Sequence, residues 1–182
     1  MSLWKFLGIE RQQEEGRGEA FASSAEAMRD VVDRLEGLDP ERARYVARFA
    51  YILGRVADAD LDVSDAETRA MEREVKALGG LDEAEAVLVV EIAKAQHRLF
   101  GSTDSYSITR DHARASTPEQ KRELLHCLFA VSAADDEISS VEESEIRLIV
   151  KELDLTHEDF IEARASFREK IALLRGEARP ED

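Results

Sequence analysis

Residues 59–67 read ADLDVSDAE and residues 134–142 read ADDEISSVE, two copies of the pattern A-D-x-x-V/I-S-x-x-E set 75 residues apart. The same spacing, without a gap, pairs Leu53 with Leu128, Val56 with Val131, Met71 with Ile146, Val75 with Val150, Lys76 with Lys151 and Leu78 with Leu153. Apolar positions therefore keep the same helical phase on both sides of both acidic turns, which points to an internal duplication. Each copy predicts a buried helix, an acidic turn, a short helix and a long helix.

The start signals agree with that reading. Ser64 with Glu67, and Ser139 with Glu142, have the spacing of a capping box, in which the hydroxyl accepts from the N–H three residues on and the carboxylate reaches back to the cap. Asp39-Pro40 and Thr117-Pro118-Glu119-Gln120 open the two long helices that run into the turns, because proline suits a position whose N–H has no intrahelical partner. Val46, Phe49, Ala50, Leu53, Val56 and Ala57 make a broad apolar stripe in the first of these, and Leu124, Leu125, Leu128, Phe129 and Val131 in the second. An earlier helix is predicted over about 20–35, ending at Gly37. Gly79-Gly80 ends the short helix of the first copy, and Asp82 with Glu85 gives a weaker start for the helix after it. Gly101-Ser102 breaks the pattern, and a short helix follows over about 106–115. Thr156 begins the last long helix, with Phe160, Ile161, Phe167, Ile171 and Leu174 inward.

These elements make an all-α protein, a single-domain bundle of about seven to eight helices built from two similar halves. Residues 1–19 are read as an apolar amino-terminal segment and a polar linker, 20–175 as the helical domain with halves 40–100 and 117–174, and 176–182 as a disordered tail. With 182 residues, three prolines and nine glycines, the chain suits one packed domain holding both halves.

Charge excludes one class of partner. The 25 basic and 40 acidic side chains leave a net charge of −15, which repels a phosphate backbone, so nucleic acid is not expected. No apolar run approaches the roughly 20 residues of a membrane span, and no secretory signal opens the chain. The lone Cys127, in LLHCLFAV, reads as a buried inert thiol and points to a reducing cytoplasm. MSLWKFLGI at the amino terminus is more apolar than a solvated tail, with Trp4, Phe6 and Leu7 as its contact residues. Two readings stand: a short helix packed on the domain or on a second copy, and a weak peripheral contact with the inner face of a membrane.

The acidic turns are the candidate site. Asp60 and Asp62 in the first, with Asp135, Asp136 and Glu137 in the second, offer oxygen donors suited to calcium, magnesium or manganese and no soft sulfur. Asp58-x-Asp60-x-Asp62 resembles the opening of an EF-hand, but Val63 stands where glycine is required and Arg69 where a bidentate glutamate is required, so that loop is rejected. The competing reading is that these carboxylates only cap helices, each cap stabilising by about 1 kcal/mol. A third is an acidic docking patch for a protein. His97, His112, His126 and His157 are too scattered for zinc, and neither a nucleophile elbow nor a phosphate loop is present, so no catalytic residue is assigned.

A helix ending in an apolar run, an Ala-Asp turn, Ile/Val-Ser and a Glu three residues beyond resembles the TerB-like family of tellurite-resistance and stress-response proteins. The resemblance is strongest over AADDEISSVEESEIRLIVKELDLTHEDF, residues 133–160, and with the divergent first copy it spans about 40–167. It implies an all-helical domain of two similar halves and a metal-binding acidic site falling on Asp60, Glu67, Asp135 and Glu142. Such domains also occur in a membrane-bound J-domain co-chaperone, but this chain has no His-Pro-Asp triplet and that activity is not carried over. The expected function is a non-catalytic binding or adaptor protein with a protein partner. The alternative is a structural interaction module whose turns hold no ion.

Overall fold

The computed structural model describes residues 30–56, 65–99, 105–134 and 137–171, and of residues 65–67 and 95–99 the backbone alone. A helical segment over 30–36 leads into α1 (Pro40–Gly54), α2 (Asp65–Leu78) and α3 (Glu83–Leu99). Then come α4 (Ser105–Ala115), α5 (Pro118–Ser132), α6 (Ser140–Glu152), α7 (His157–Ala165) and a 3₁₀ turn (Arg168–Lys170). The fold is all-α. Among the described residues the extended backbone amounts to a single isolated bridge, between Ile138 and Ile171. None of the described helices is long and apolar enough to cross a membrane.

Five of the helices, α1, α3, α5, α6 and α7, begin where the described chain supplies a side-chain cap. Asp39 Oδ1 accepts from the N–H groups of Glu41 and Arg42 at 3.0 and 3.4 Å, ahead of Pro40. Asp82 with Glu85, Thr117 with Gln120, Ser139 with Glu142 and Thr156 with Asp159 all exchange reciprocal cap bonds. The Asp82/Glu85 start is therefore a complete box. It is reinforced by Arg42, whose Nε and Nη2 both donate to Glu85 at 2.5 Å and hold that buried carboxyl below the usual carboxylate range.

α1 and α5 are central because they are apolar on more than one face. In α1, Tyr45, Val46, Ala47 and Phe49–Leu53 are buried; in α5, Leu124, Leu125 and Cys127–Ser132 are buried. Helices of that kind must be covered all round, and the others do this. α2 packs on α3 and α5, α3 on α1, α4 on α1 and α6, and α7 on α5. Gly79 lets α1, α2 and α5 meet: a Cβ there would lie 2.6 Å from the Val75 carbonyl oxygen, 3.1 Å from Phe49 and 3.3 Å from Cys127. Gly80, at φ +60°, makes the turn that only glycine adopts without strain.

The duplication is visible in the order of elements. The 75-residue spacing carries the segment at 30–36 onto residues 105–111 of α4, so among the described residues each half reads as a short leading helix, a buried helix, a second helix and a covering helix. The halves are joined by a charge network at the end of α1. Arg55 Nε donates to Glu145 at 2.9 Å, and Nη1 donates to Thr109 at 2.7 Å and to Glu152 at 2.5 Å. The Arg55 and Glu152 side chains are only 6% and 7% exposed.

The last helix departs from expectation. α7 stops at Ala165, and Ser166 and Phe167 bond back three residues instead of four. Ile161, expected inward, is 46% exposed, while Phe160 and Ala163 face the core. The sequence carries no glycine or proline here to announce a stop. What ends the helix is tertiary: Phe167 stacks on Phe129 at 5.8 Å, and Ile171 is buried by its extended bridge to Ile138. Leu174 lies outside the described residues.

His112 is wholly buried on α4, 5.2 Å from the Tyr45 ring and 6.3 Å from that of Phe49, and neither ring nitrogen has a hydrogen-bond partner. Burial, then repulsion from Arg48 and Lys121, pushes its pKa down to about 3. An unfolded histidine, by contrast, takes up a proton near pH 6.5.

Two outcomes follow from these buried groups. Replacing Arg55 by Met strands Glu145 and Glu152 and should cost about 3–5 kcal/mol in urea unfolding, whereas Arg55→Met with Glu152→Leu should recover much of that loss. Stability contributed by neutral His112 is complete above pH 6.5 and falls as the pH drops towards 3, by about 1.4 kcal/mol per pH unit. Urea midpoints taken between pH 7.5 and 5 should therefore decline in the native chain and flatten in His112→Leu; an equal decline in both would exclude His112 as the source.

Candidate acidic-turn site

The second turn is built from the end of α5 to the start of α6. Ala133 closes α5, Ile138 is wholly buried, and Ser139 caps α6 with its oxygen 3.2 Å from the Glu142 nitrogen. Glu142 Oε2 in turn accepts from the Ser139 N–H at 2.8 Å, so this carboxylate is folded back over the turn as a cap. Glu137 stands exposed on the outer side. The carboxy-terminal segment braces the turn: the Ile138 N–H donates to the Lys170 carbonyl at 2.7 Å, and Lys170 Nζ donates to the Ala133 carbonyl at 2.9 Å. A lysine cation is thus held at the foot of the acidic turn.

Asp135 and Asp136 lie outside the described residues, as do Asp60, Asp62 and Ser64 of the first turn. Glu67 belongs to the first turn of α2, with its backbone alone described. Trp4, Phe6 and Leu7 also fall outside. Among the described residues no three His, Cys, Asp or Glu side chains are grouped to hold a metal ion. The capping box, moreover, is not peculiar to the acidic turns. It recurs at Asp82/Glu85, Thr117/Gln120 and Thr156/Asp159, so Ser139 with Glu142 does not by itself mark a ligand site.

The frame around the turns is well defined. Each turn leaves a central helix whose end lies against the other half. Arg55, at the end of α1, reaches α6 through Glu145 and Glu152, while Ala130, Ala133 and Ala134 at the end of α5 share a groove with Ala70, Met71 and Glu74 of α2. α6 is also tied to α7, because Arg147 and Arg164 both donate to buried Glu143 and outweigh the burial that would raise its pKa.

The Arg55 network escapes a reading based on repeats, since repeats draw attention to what the halves share. Its trace in the sequence is a departure from the duplication: at the same spacing Arg55, Glu145 and Glu152 fall opposite Ala130, Ala70 and Ala77. Three charges, one from the first copy and two from the second, each standing opposite an alanine is a pattern that could have identified it. His112 is enclosed by Tyr45 and Phe49, and His157 stacks on Phe160 of its own helix, while the side chain of His97 lies outside the described residues.

Comparison with known proteins bears on this arrangement. No curated protein and no solved structure matches the chain. The profile of the family described as Tellurite resistance protein TerB matches residues 46–165, a stretch that includes both acidic turns and runs from within α1 to the end of α7. Because that match covers well over half of the 182 residues and the described elements form an all-helical duplicated bundle, the chain belongs to the TerB family.

Proposed function

We propose that this protein is a non-catalytic binding or adaptor component of a bacterial stress or tellurite-resistance response, and that its paired acidic turns take a divalent cation. The observation that carries the reading is the duplicated Asp-bearing turn on a single frame, with each turn following a central helix anchored on the other half. Oxygen donors at Asp60, Asp62, Asp135 and Asp136 suit calcium, magnesium or manganese. Carboxylates brought close together raise each other's pKa and favour a cation between them. The exposed apolar residues Val141 and Leu148, seven apart on one face of α6, give a protein partner a contact next to the second turn.

A second reading has its own support. Glu142 is already engaged as a cap, and the same box occurs on helices with no acidic turn before them. On that reading the protein is an interaction module without an ion.

Calorimetric titration of the native chain with calcium, magnesium and manganese separates the two. Cation binding should appear in the native protein and be lost in Asp60→Asn/Asp135→Asn, whereas Ser139→Ala should lower stability by about 1 kcal/mol without removing it. No heat of binding from the native chain for any of the three ions would leave the capping role alone.

A further inference from the structure

Of the 11 residues of α4 only Ile108, Thr109, His112 and Ala113 are buried, and two of these are polar. Little apolar area therefore fixes this helix on α1 and α6, and much of its attachment is by hydrogen bonds. Arg55 donates to Thr109 at 2.7 Å, Arg110 donates to the Glu152 carbonyl at 2.9 Å, and the Tyr51 and Ser105 hydroxyls lie 3.0 Å apart. An element with few buried apolar contacts opens locally at a lower free energy than the whole domain unfolds. α5 is the opposite case, because Leu124, Leu125 and Cys127–Ser132 are buried and it cannot leave without the core.

His112 sits within that contact, closed off from water against the Tyr45 and Phe49 rings of α1, with no hydrogen-bond partner at Nδ1 or Nε2. The charges that act on it discourage a proton. Arg48 of α1, which also donates to the Asp111 carbonyl at 3.4 Å, and Lys121 of α5 both repel one. The Tyr45 phenol stays neutral, its pKa pushed up to about 12 chiefly by burial, and Glu123 and Cys127 of α5 act on that phenol. The nearby carboxylates are committed to arginines: Asp111 to Arg114 on α4, Glu41 to Arg44 on α1, Glu119 to Arg122 on α5, and Glu152 to Arg55 and Asp154 to Arg110 at the end of α6. The closed helix therefore excludes a proton that an exposed histidine accepts near pH 6.5.

We propose that α4 is an acid-released cover, detached from α1 and α6 by protonation of His112 while the rest of the bundle stays folded. Each pH unit below about 6.5 favours the open form about tenfold. Release withdraws Thr109 from Arg55 and Arg110 from the Glu152 carbonyl, and it uncovers the Tyr45 face of α1. Arg55 keeps both of its carboxylates on α6, so the two halves stay joined.

Hydrogen exchange of the full chain, read by mass spectrometry and corrected for the intrinsic pH dependence of amide exchange, follows each helix separately. Between about pH 6.5 and 4.5 the protection of residues 105–115 should fall about tenfold per pH unit, while α5 and α6 keep theirs. In His112→Leu the protection of α4 should not change with pH. His112→Gln, polar but never charged, should give the same flat profile and serves where the leucine variant folds poorly, since the slope with pH decides and not the absolute protection. Native α4 as protected at pH 4.5 as at pH 6.5 overturns the proposal. So does a native chain in which α4, α5 and α6 lose protection together, because the bundle then opens as one unit. An equal slope in the native chain and the His112 variants assigns the acid response to another group and overturns it as well.

Discussion

Arg55 sits at the end of the most buried helix of the first half, nearly out of contact with water, and its guanidinium is held by two carboxylates of the second half and a hydroxyl of α4. A charge in that position is tolerated only while its partners stay in place, since desolvation has to be offset by close, hydrogen-bonded contact. The network therefore ties three helices from both halves to one geometry. It also stands just before the first acidic turn, so the chain enters that turn from a fixed point. At the equivalent place in the other half, small side chains allow α2 to lie directly against α5. The duplicated bundle is thus held by an ionic contact on one side and by close apolar packing on the other.

That asymmetry gives the two acidic turns different surroundings. Duplication alone yields two similar turns, but the two halves then diverged in what surrounds them. The second turn is pinned from below by Ile138 and from the side by Lys170. α4 packs on both α1 and α6, while the junction of α2 with α5 borders a groove lined by alanines, Met71 and Phe167 together with Glu74, Arg168, Glu169 and Lys170. The two copies share the sequence pattern of the turn and differ in the packing around it.

Much of the helical plan was legible because it depends on local chemistry. Asp39-Pro40, Thr117-Pro118, Ser139 with Glu142 and Thr156 each satisfy backbone N–H groups within three residues of themselves, which requires no knowledge of the fold. Gly79-Gly80 was equally readable, though its full reason was not: the missing Cβ at Gly79 serves Phe49 and Cys127, which come from two other helices. The end of α7 was misread for the complementary reason. From Phe160 to Ile171 every residue can be helical, and only the bridge to Ile138 and the stacking on Phe129 show that the chain turns away. Of the candidate site, the Ser139/Glu142 cap and the placement of Glu137 are visible in the structure, whereas the four aspartates were singled out from sequence alone.

By itself the sequence determined the helical class, the doubling of the unit, the start of most helices and the acidic character of the two turns, because each rests on periodicity or on bonds between near neighbours. Tertiary structure alone decided that Arg55 crosses to Glu145 and Glu152, that His112 is enclosed without a partner, and that Lys170 closes on the second turn. Those contacts join residues far apart in the chain. Whether a charged or polar side chain meets water or a partner there is set by which helices the core brings together, and short-range pattern carries no record of that.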